Sequence, residues 1–146
     1  MPIYKAPQQD YLFLLNDVFH FDRHSDLPGF SDLSPDILEA TLEEAAKLCE
    51  QAIAPLNRVG DIEGCTRHDD GSVTTPTGFK DAFKQFTSGG WLGMSAPAEY
   101  GGQDLPNVLS DVVAEFLGSA NLAFSMYPLL TKGAVAALCD HASSEL

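Results

Sequence analysis

Residues 122–138 read LAFSMYPLLTKGAVAAL, an apolar run in which Lys132 is the one charge. A helix made from it is apolar on nearly every side and needs neighbours all round. The run falls short of the roughly 20 apolar residues a bilayer span requires, and Pro128 and Lys132 interrupt it. It is therefore expected to be the buried central helix of a bundle, with the rest of the chain wrapped around it.

The covering helices can be read from spacing. Tyr11, Leu12, Leu14, Leu15, Val18 and Phe19 recur at helical intervals after Pro7, and Pro28-Gly29 would end any continuation. Ser34-Pro35 offers an N-cap hydroxyl and a proline suited to a first turn, and Asp36 and Glu39 set negative charge at the positive end of the helix dipole. Ile37, Leu38, Leu42, Ala45, Leu48, Cys49 and Ile53 carry this second helix to about Pro55. Over residues 60–75 the periodicity vanishes and Asp70-Gly71 signals a turn, which predicts a long loop with at most a small hairpin. Thr75-Pro76 opens a third helix with Phe79, Ala82, Phe83 and Phe86 on one face, closed by Gly89-Gly90. Trp91, Leu92 and Met94 form an apolar connector, followed by a turn over residues 97–102. A fourth helix starts near Leu105-Pro106, carries Val108, Leu109, Val112, Val113, Phe116 and Leu117, and loosens at Gly118. The fold class is all-α, a helical bundle of about five helices with no extended sheet. Residues 1–33 are read as an N-terminal extension with one helix and residues 34–146 as the helical domain proper, sharing the single core that 146 residues can support.

The formal charge of -13 repels phosphate backbones, and no basic run offers a local exception, so nucleic acid is excluded as a partner. The same charge disfavours docking on anionic lipid. Cys49, Cys65 and Cys139 are odd in number and scattered, unlike a disulfide framework, and residues 1–10 lack the features of a secretory signal. The expected compartment is the cytoplasm.

Candidate chemistry is sparse. Cys65 and His68 have a C-x-x-H spacing but no second pair, so no metal is expected. His24, beside Asp22 and Arg23, reads as a solvated turn. The glycines of Gly89-Gly90-Trp91-Leu92-Gly93 follow a helix and lack a G-K-S/T ending, so helix termination explains them better than a phosphate loop. Ser95, Ser110 and Ser125 have no histidine on a shared element, and Glu43-Glu44 and Asp69-Asp70 are solvated faces. These residues alone describe an acidic helical domain.

Longer stretches say more. Residues 83–102, FKQFTSGGWLGMSAPAEYGG, resemble the N-terminal domain of acyl-CoA dehydrogenases, where a helix ends in G-W and leads through an apolar link to P-x-E-Y-G-G. The helix that follows contains Ala114-Glu115-Phe116-Leu117, then a short N/S/A turn and a long apolar helix, in the family's order. Residues 50–64, EQAIAPLNRVGDIEG, resemble the end of the family's second helix. The opening MPIYKAPQQDYLFLLNDVF resembles an extension on the branch that includes 3-(methylthio)propionyl-CoA dehydrogenases. The resemblance covers essentially the whole chain.

It implies a helical N-terminal domain followed by a middle β-domain and a C-terminal four-helix domain. FAD lies between the latter two, and a glutamate of the last domain takes the α-proton of an acyl-CoA substrate. The chain would then be an N-terminal fragment, inactive alone, whose parent is a homo-oligomer; no residue in it is assigned as the catalytic base, and tight FAD binding is not expected. By resemblance, the last helix faces the acyl pocket, with wall positions around Phe124, Ser125, Tyr127 and Leu130. Pro128 frees a backbone carbonyl and is expected to kink that helix. A rival reading is a free-standing helical module that binds a protein partner through its apolar surface.

Overall fold

The computed structural model describes residues 3–27, 29–31 and 33–143. Pro28, read above as part of a helix stop, and Leu146 lie outside the described residues. Among the described residues, six α-helices appear in chain order: α1 Gln8–Phe13, α2 Pro35–Leu48, α3 Leu56–Glu63, α4 Phe79–Ser88, α5 Asn107–Ala120 and α6 Leu122–His141. A two-stranded antiparallel hairpin, β1 Thr66–Arg67 and β2 Val73–Thr74, pairs Thr66 with Thr74 and Arg67 with Val73.

α2 starts where its sequence says it should. The Ser34 hydroxyl accepts from the Ile37 N–H at 3.3 Å, and Pro35 occupies the first turn. Such a cap contributes about 1 kcal/mol. Leu38, Leu42, Ala45 and Ala46 point into the core, and a π-helical turn over Cys49–Ile53 adds Cys49 and Ile53 to the same face. The Ala54 N–H closes that turn on the Cys49 carbonyl at 2.8 Å.

α3 departs from the loop expected over residues 60–75. It packs against α6, and a Cβ at Gly60 would sit 2.7 Å from Phe79 Cζ, so the glycine lets the helix lie on the Phe79 ring where a side chain would crowd it. The helix stops at Gly64, and the predicted small hairpin follows. At its turn, Asp70 Oδ1 accepts from the Ser72 N–H at 2.9 Å and the Ser72 hydroxyl at 2.7 Å.

After α4, which buries Phe79, Ala82 and Phe86, the connector folds back on itself. Gln103 N–H donates to the Gly93 carbonyl at 3.0 Å and Leu105 N–H to the Met94 carbonyl at 2.9 Å, burying Met94. α5 does not end at Gly118. It runs on to Ala120; a Cβ at Gly118 would meet only Ser125 Oγ, at an ordinary 3.8 Å, so the glycine there marks neither a stop nor a tight contact. Asn121 alone separates α5 from α6. Its side-chain oxygen accepts from the Phe124 N–H at 3.0 Å and so starts α6.

The largest correction concerns α6. It was expected to be the buried centre of the bundle; instead α2 and α5 hold the middle of the core, and α6 buries only Phe124 and Pro128. Leu122 is 67% and Leu130 77% exposed, with Met126, Leu129 and Leu138 outward as well. At 20 residues it is also long and apolar enough to cross a membrane by length and composition, contrary to the shorter run read from sequence. It is nevertheless docked on α5, and Pro128 does not interrupt it.

The N-terminal segment joins the same core. Leu15 is buried in it, the Tyr4 hydroxyl donates to the Phe116 carbonyl at 3.0 Å, and Tyr11 meets the Phe116 ring edge-on at 5.5 Å. Glu50 accepts from the Ala6 N–H at 3.0 Å and pairs with Lys5 Nζ at 2.6 Å.

Candidate functional site

The four positions read as pocket wall all lie on α6, on different sides of it. Phe124 is completely buried at the centre of an aromatic cluster. Its ring centroid lies 6.0 Å from Phe79, 6.3 Å from Phe83, 6.1 Å from Phe86 and 5.9 Å from Tyr127, mostly in tilted or edge-to-face contact. Phe124 therefore anchors α6 to α4 and presents no surface of its own. Tyr127 forms the rim of the cluster, 6.2 Å from Phe79 and 6.3 Å from Phe83, with part of its ring exposed. Desolvation, and then the neighbouring Cys65 thiol beside the hairpin, hold its hydroxyl above the usual tyrosine range. Ser125 turns toward α5, its hydroxyl donating to the Leu122 carbonyl at 2.8 Å. Leu130 faces outward. The structure thus brings Phe124 and Tyr127 together and leaves Ser125 and Leu130 on separate faces.

Between α5 and α6 runs a groove of about 240 Å³. Its walls are apolar, from Phe86, Trp91, Leu92, Leu117, Met126 and Leu129, and Ser125 reaches it from α6. One end is polar: Lys132 Nζ donates to Ser110 Oγ at 2.8 Å and lies 3.3 Å from Asp111 Oδ1. Beyond Lys132 a second cavity of about 210 Å³ continues past Leu92, Pro97, Val135 and Cys139. Sequence reasoning used Lys132 only as an interruption of an apolar run. The signal was present in that lone charge, but its partners lie 21 and 22 residues away on another helix.

Elsewhere the chemistry stays quiet. Ser110 Oγ accepts from Lys132, whose ammonium is also paired with Asp111 and so does not face it as a free base. His68 Nε2 sits 2.7 Å from Thr74 Oγ1 across the hairpin. Among the described residues no three His, Cys, Asp or Glu side chains gather as a metal site. Burial, with Glu50 adding to it, pushes the Cys49 thiol up to about 12, which makes it inert. A flavin dinucleotide would need backbone donors at a glycine-rich helix start or grouped cations for its pyrophosphate. Gly90, with φ 78, ends α4 and leads into a 3-10 turn. The cleft that holds Lys5 and Arg58 also holds Glu50, which takes Lys5. These residues do not fit a flavin.

The family model for the acyl-CoA dehydrogenase N-terminal domain matches residues 36–146. The chain is 39% identical over 135 residues to a 3-methylmercaptopropionyl-CoA dehydrogenase of Ruegeria pomeroyi, covering 92% of this chain and 23% of that protein. It is 28% identical over 134 residues to a butyryl-CoA dehydrogenase of Syntrophomonas wolfei, covering 90% of this chain and 21% of that protein. The chain thus spans between a fifth and a quarter of the length of these relatives.

Proposed function

Because the chain belongs to the acyl-CoA dehydrogenase family, matching its N-terminal domain over residues 36–146, we propose that it serves as the helical N-terminal part of a FAD-dependent enzyme that dehydrogenates an acyl-CoA. The observation that carries the reading is α6, an apolar helix with only Phe124 and Pro128 buried. Such a surface is costly in water unless something covers it. In the family the corresponding helix faces the acyl chain and the other two domains.

Removal of an α-proton beside a thioester needs a positioned base, and flavin, when bound, supplies the sink for the β-hydride. The described residues build neither site, so the work assigned to this chain is shape and exclusion of water. Tyr127 is the proposed wall residue, with Phe124 behind it fixing its position; Leu130 and Ser125, on other faces of α6, are proposed to meet the acyl group only away from that rim. The aromatic rim limits depth, which favours a short acyl group; the two relatives are named for short acyl thioesters. In the 146-residue chain alone, the same exposed face of α6 is the proposed surface for self-association. Cys65 and Cys139, exposed free thiols, fit a reducing cytoplasm.

The test is an anaerobic titration of the whole enzyme with short acyl-CoA thioesters, followed by loss of oxidised-flavin absorbance, beside the 146-residue chain alone. The whole enzyme should be bleached, and the chain alone should be colourless. Stoichiometric flavin on the isolated chain, or a whole enzyme whose flavin no acyl-CoA reduces, contradicts the reading.

A further inference from the structure

Lys132 is held in an unusual way for a lysine on an outward apolar helix. A lysine there would ordinarily carry its ammonium out to water. Here the side chain is 35% exposed and its ammonium is turned onto α5, against the buried Ser110 hydroxyl at 2.8 Å and the Asp111 carboxylate at 3.3 Å. An ammonium has three N–H donors. Ser110 and Asp111 take two, and Lys132 lines both the α5–α6 groove and the cavity beyond it, so the third is available to whatever lies in them.

The rest of the groove selects by size and polarity. At about 240 Å³ it is smaller than sites for drug-sized ligands, so it suits a short chain. Away from Lys132, its lining of Leu117, Met126 and Leu129 is apolar; the polar side chains there are the Trp91 indole and Ser125, whose hydroxyl proton is taken by the Leu122 carbonyl. The charge of Lys132 is already balanced by Asp111. A carboxylate ligand would therefore bring an excess negative charge beside Asp111, in a chain that already carries -13. A ketone, hydroxyl or ether oxygen would take the spare N–H with no such cost.

We propose that the α5–α6 groove takes a short apolar chain carrying one uncharged hydrogen-bond acceptor, which Lys132 recognises with its remaining N–H. The groove shares Ser125 with the proposed acyl wall but holds neither Tyr127 nor Leu130, so Lys132 selects a ligand of the groove itself, beside that wall.

The chain contains one tryptophan, Trp91, and it lines the groove, so its emission reports occupancy directly. The wild-type chain is titrated with 2-heptanone and with heptanoate, which share a chain length and differ in charge. The ketone should bind about tenfold more tightly than the carboxylate. Lys132→Met, which keeps the apolar stem, should lose about tenfold for the ketone, the scale of a hydrogen bond to a charged donor, while Lys132→Arg keeps most of it. Asp111→Asn, at an exposed position, should raise heptanoate affinity up to about fivefold by removing the opposing charge. Unchanged ketone affinity in a folded Lys132→Met, heptanoate binding as tightly as the ketone, no gain in Asp111→Asn, or no saturable change in Trp91 emission would each overturn the proposal. None of these readouts needs flavin or turnover. An enzyme that fails to oxidise acyl-CoA would sink the functional reading and leave the groove result standing.

Discussion

Replacing Asn121 with alanine tests how α6 is set in place. Asn121 is the single residue between α5 and α6, it is 1% exposed, and its side-chain oxygen accepts from the Phe124 N–H in a buried setting at 3.0 Å. Its amide lies 3.5 Å from the Ile53 carbonyl, the outer limit of a hydrogen bond, and contributes little. Losing an exposed N-cap costs about 1 kcal/mol. Here the orphaned Phe124 N–H is buried, where water cannot replace the lost acceptor, so the same loss rises to about 1–3 kcal/mol. That corresponds to a fall in Tm of about 3–9 °C at about 3 °C per kcal/mol for a domain of this size. Asn121→Ser keeps an acceptor and should lie nearer wild type. Asn121→Asp keeps the acceptor but buries a carboxylate, and should be destabilised despite the favourable helix dipole. Urea and thermal melts followed by circular dichroism measure all three. An Asn121→Ala variant within 0.5 kcal/mol of wild type, a margin typical of neutral surface substitutions, would refute the reasoning.

Gly60→Ala should cost about 1–3 kcal/mol, because its Cβ meets the Phe79 ring, whereas Gly133→Ala, in α6 with open space around it, should gain about 0.5–1 kcal/mol; melts that reverse the order would show α3 packed differently. Burial pushes Tyr4 and Cys49 up to about 12 from ordinary values of 10.0 and 9.0, and desolvation with a bond to Glu115 does the same for Tyr11. The folded state then holds protons that the unfolded chain releases, so stability is full below pH 9.0 and declines as pH rises toward about 12. Cys49→Ala should flatten the first part of that decline, and an alkaline profile identical to wild type would contradict it. In the 146-residue chain alone, the outward face of α6 should drive self-association that strengthens with salt, since the charge of -13 opposes it; sedimentation that shows Leu130→Lys associating as strongly as wild type would remove α6 from the interface.

The readable parts of the fold were those whose spacing is set by their own neighbours. α2 and α4 have apolar residues every third or fourth position and clear caps or stops, and they lie about where those signals put them. α3 escaped because Gly60, which counts as a breaker by composition, is a packing contact with a ring 19 residues further on. α5 runs past Gly118 because a lone glycine weakens a helix without ending it. The burial of α6 was misjudged because apolar composition records what a helix would prefer to touch and not what the chain provides. Lys132, Ser110, Asp111 and Trp91 meet only after α5 and α6 pack, so no local pattern announces their groove. Of the proposed wall, the position of Tyr127 depends on an aromatic cluster drawn from α4 and α6.

The central claim, that α6 of this domain walls the acyl pocket, is tested most directly by Tyr127→Ala in the whole enzyme. Values of kcat/KM are measured over a series of acyl-CoA chain lengths. Removing the ring should shift preference toward longer chains by about tenfold to two-hundredfold, the scale of a methylene or two in an apolar pocket. An unchanged chain-length profile, from a variant whose stability and flavin content match wild type, would show that Tyr127 does not border the substrate.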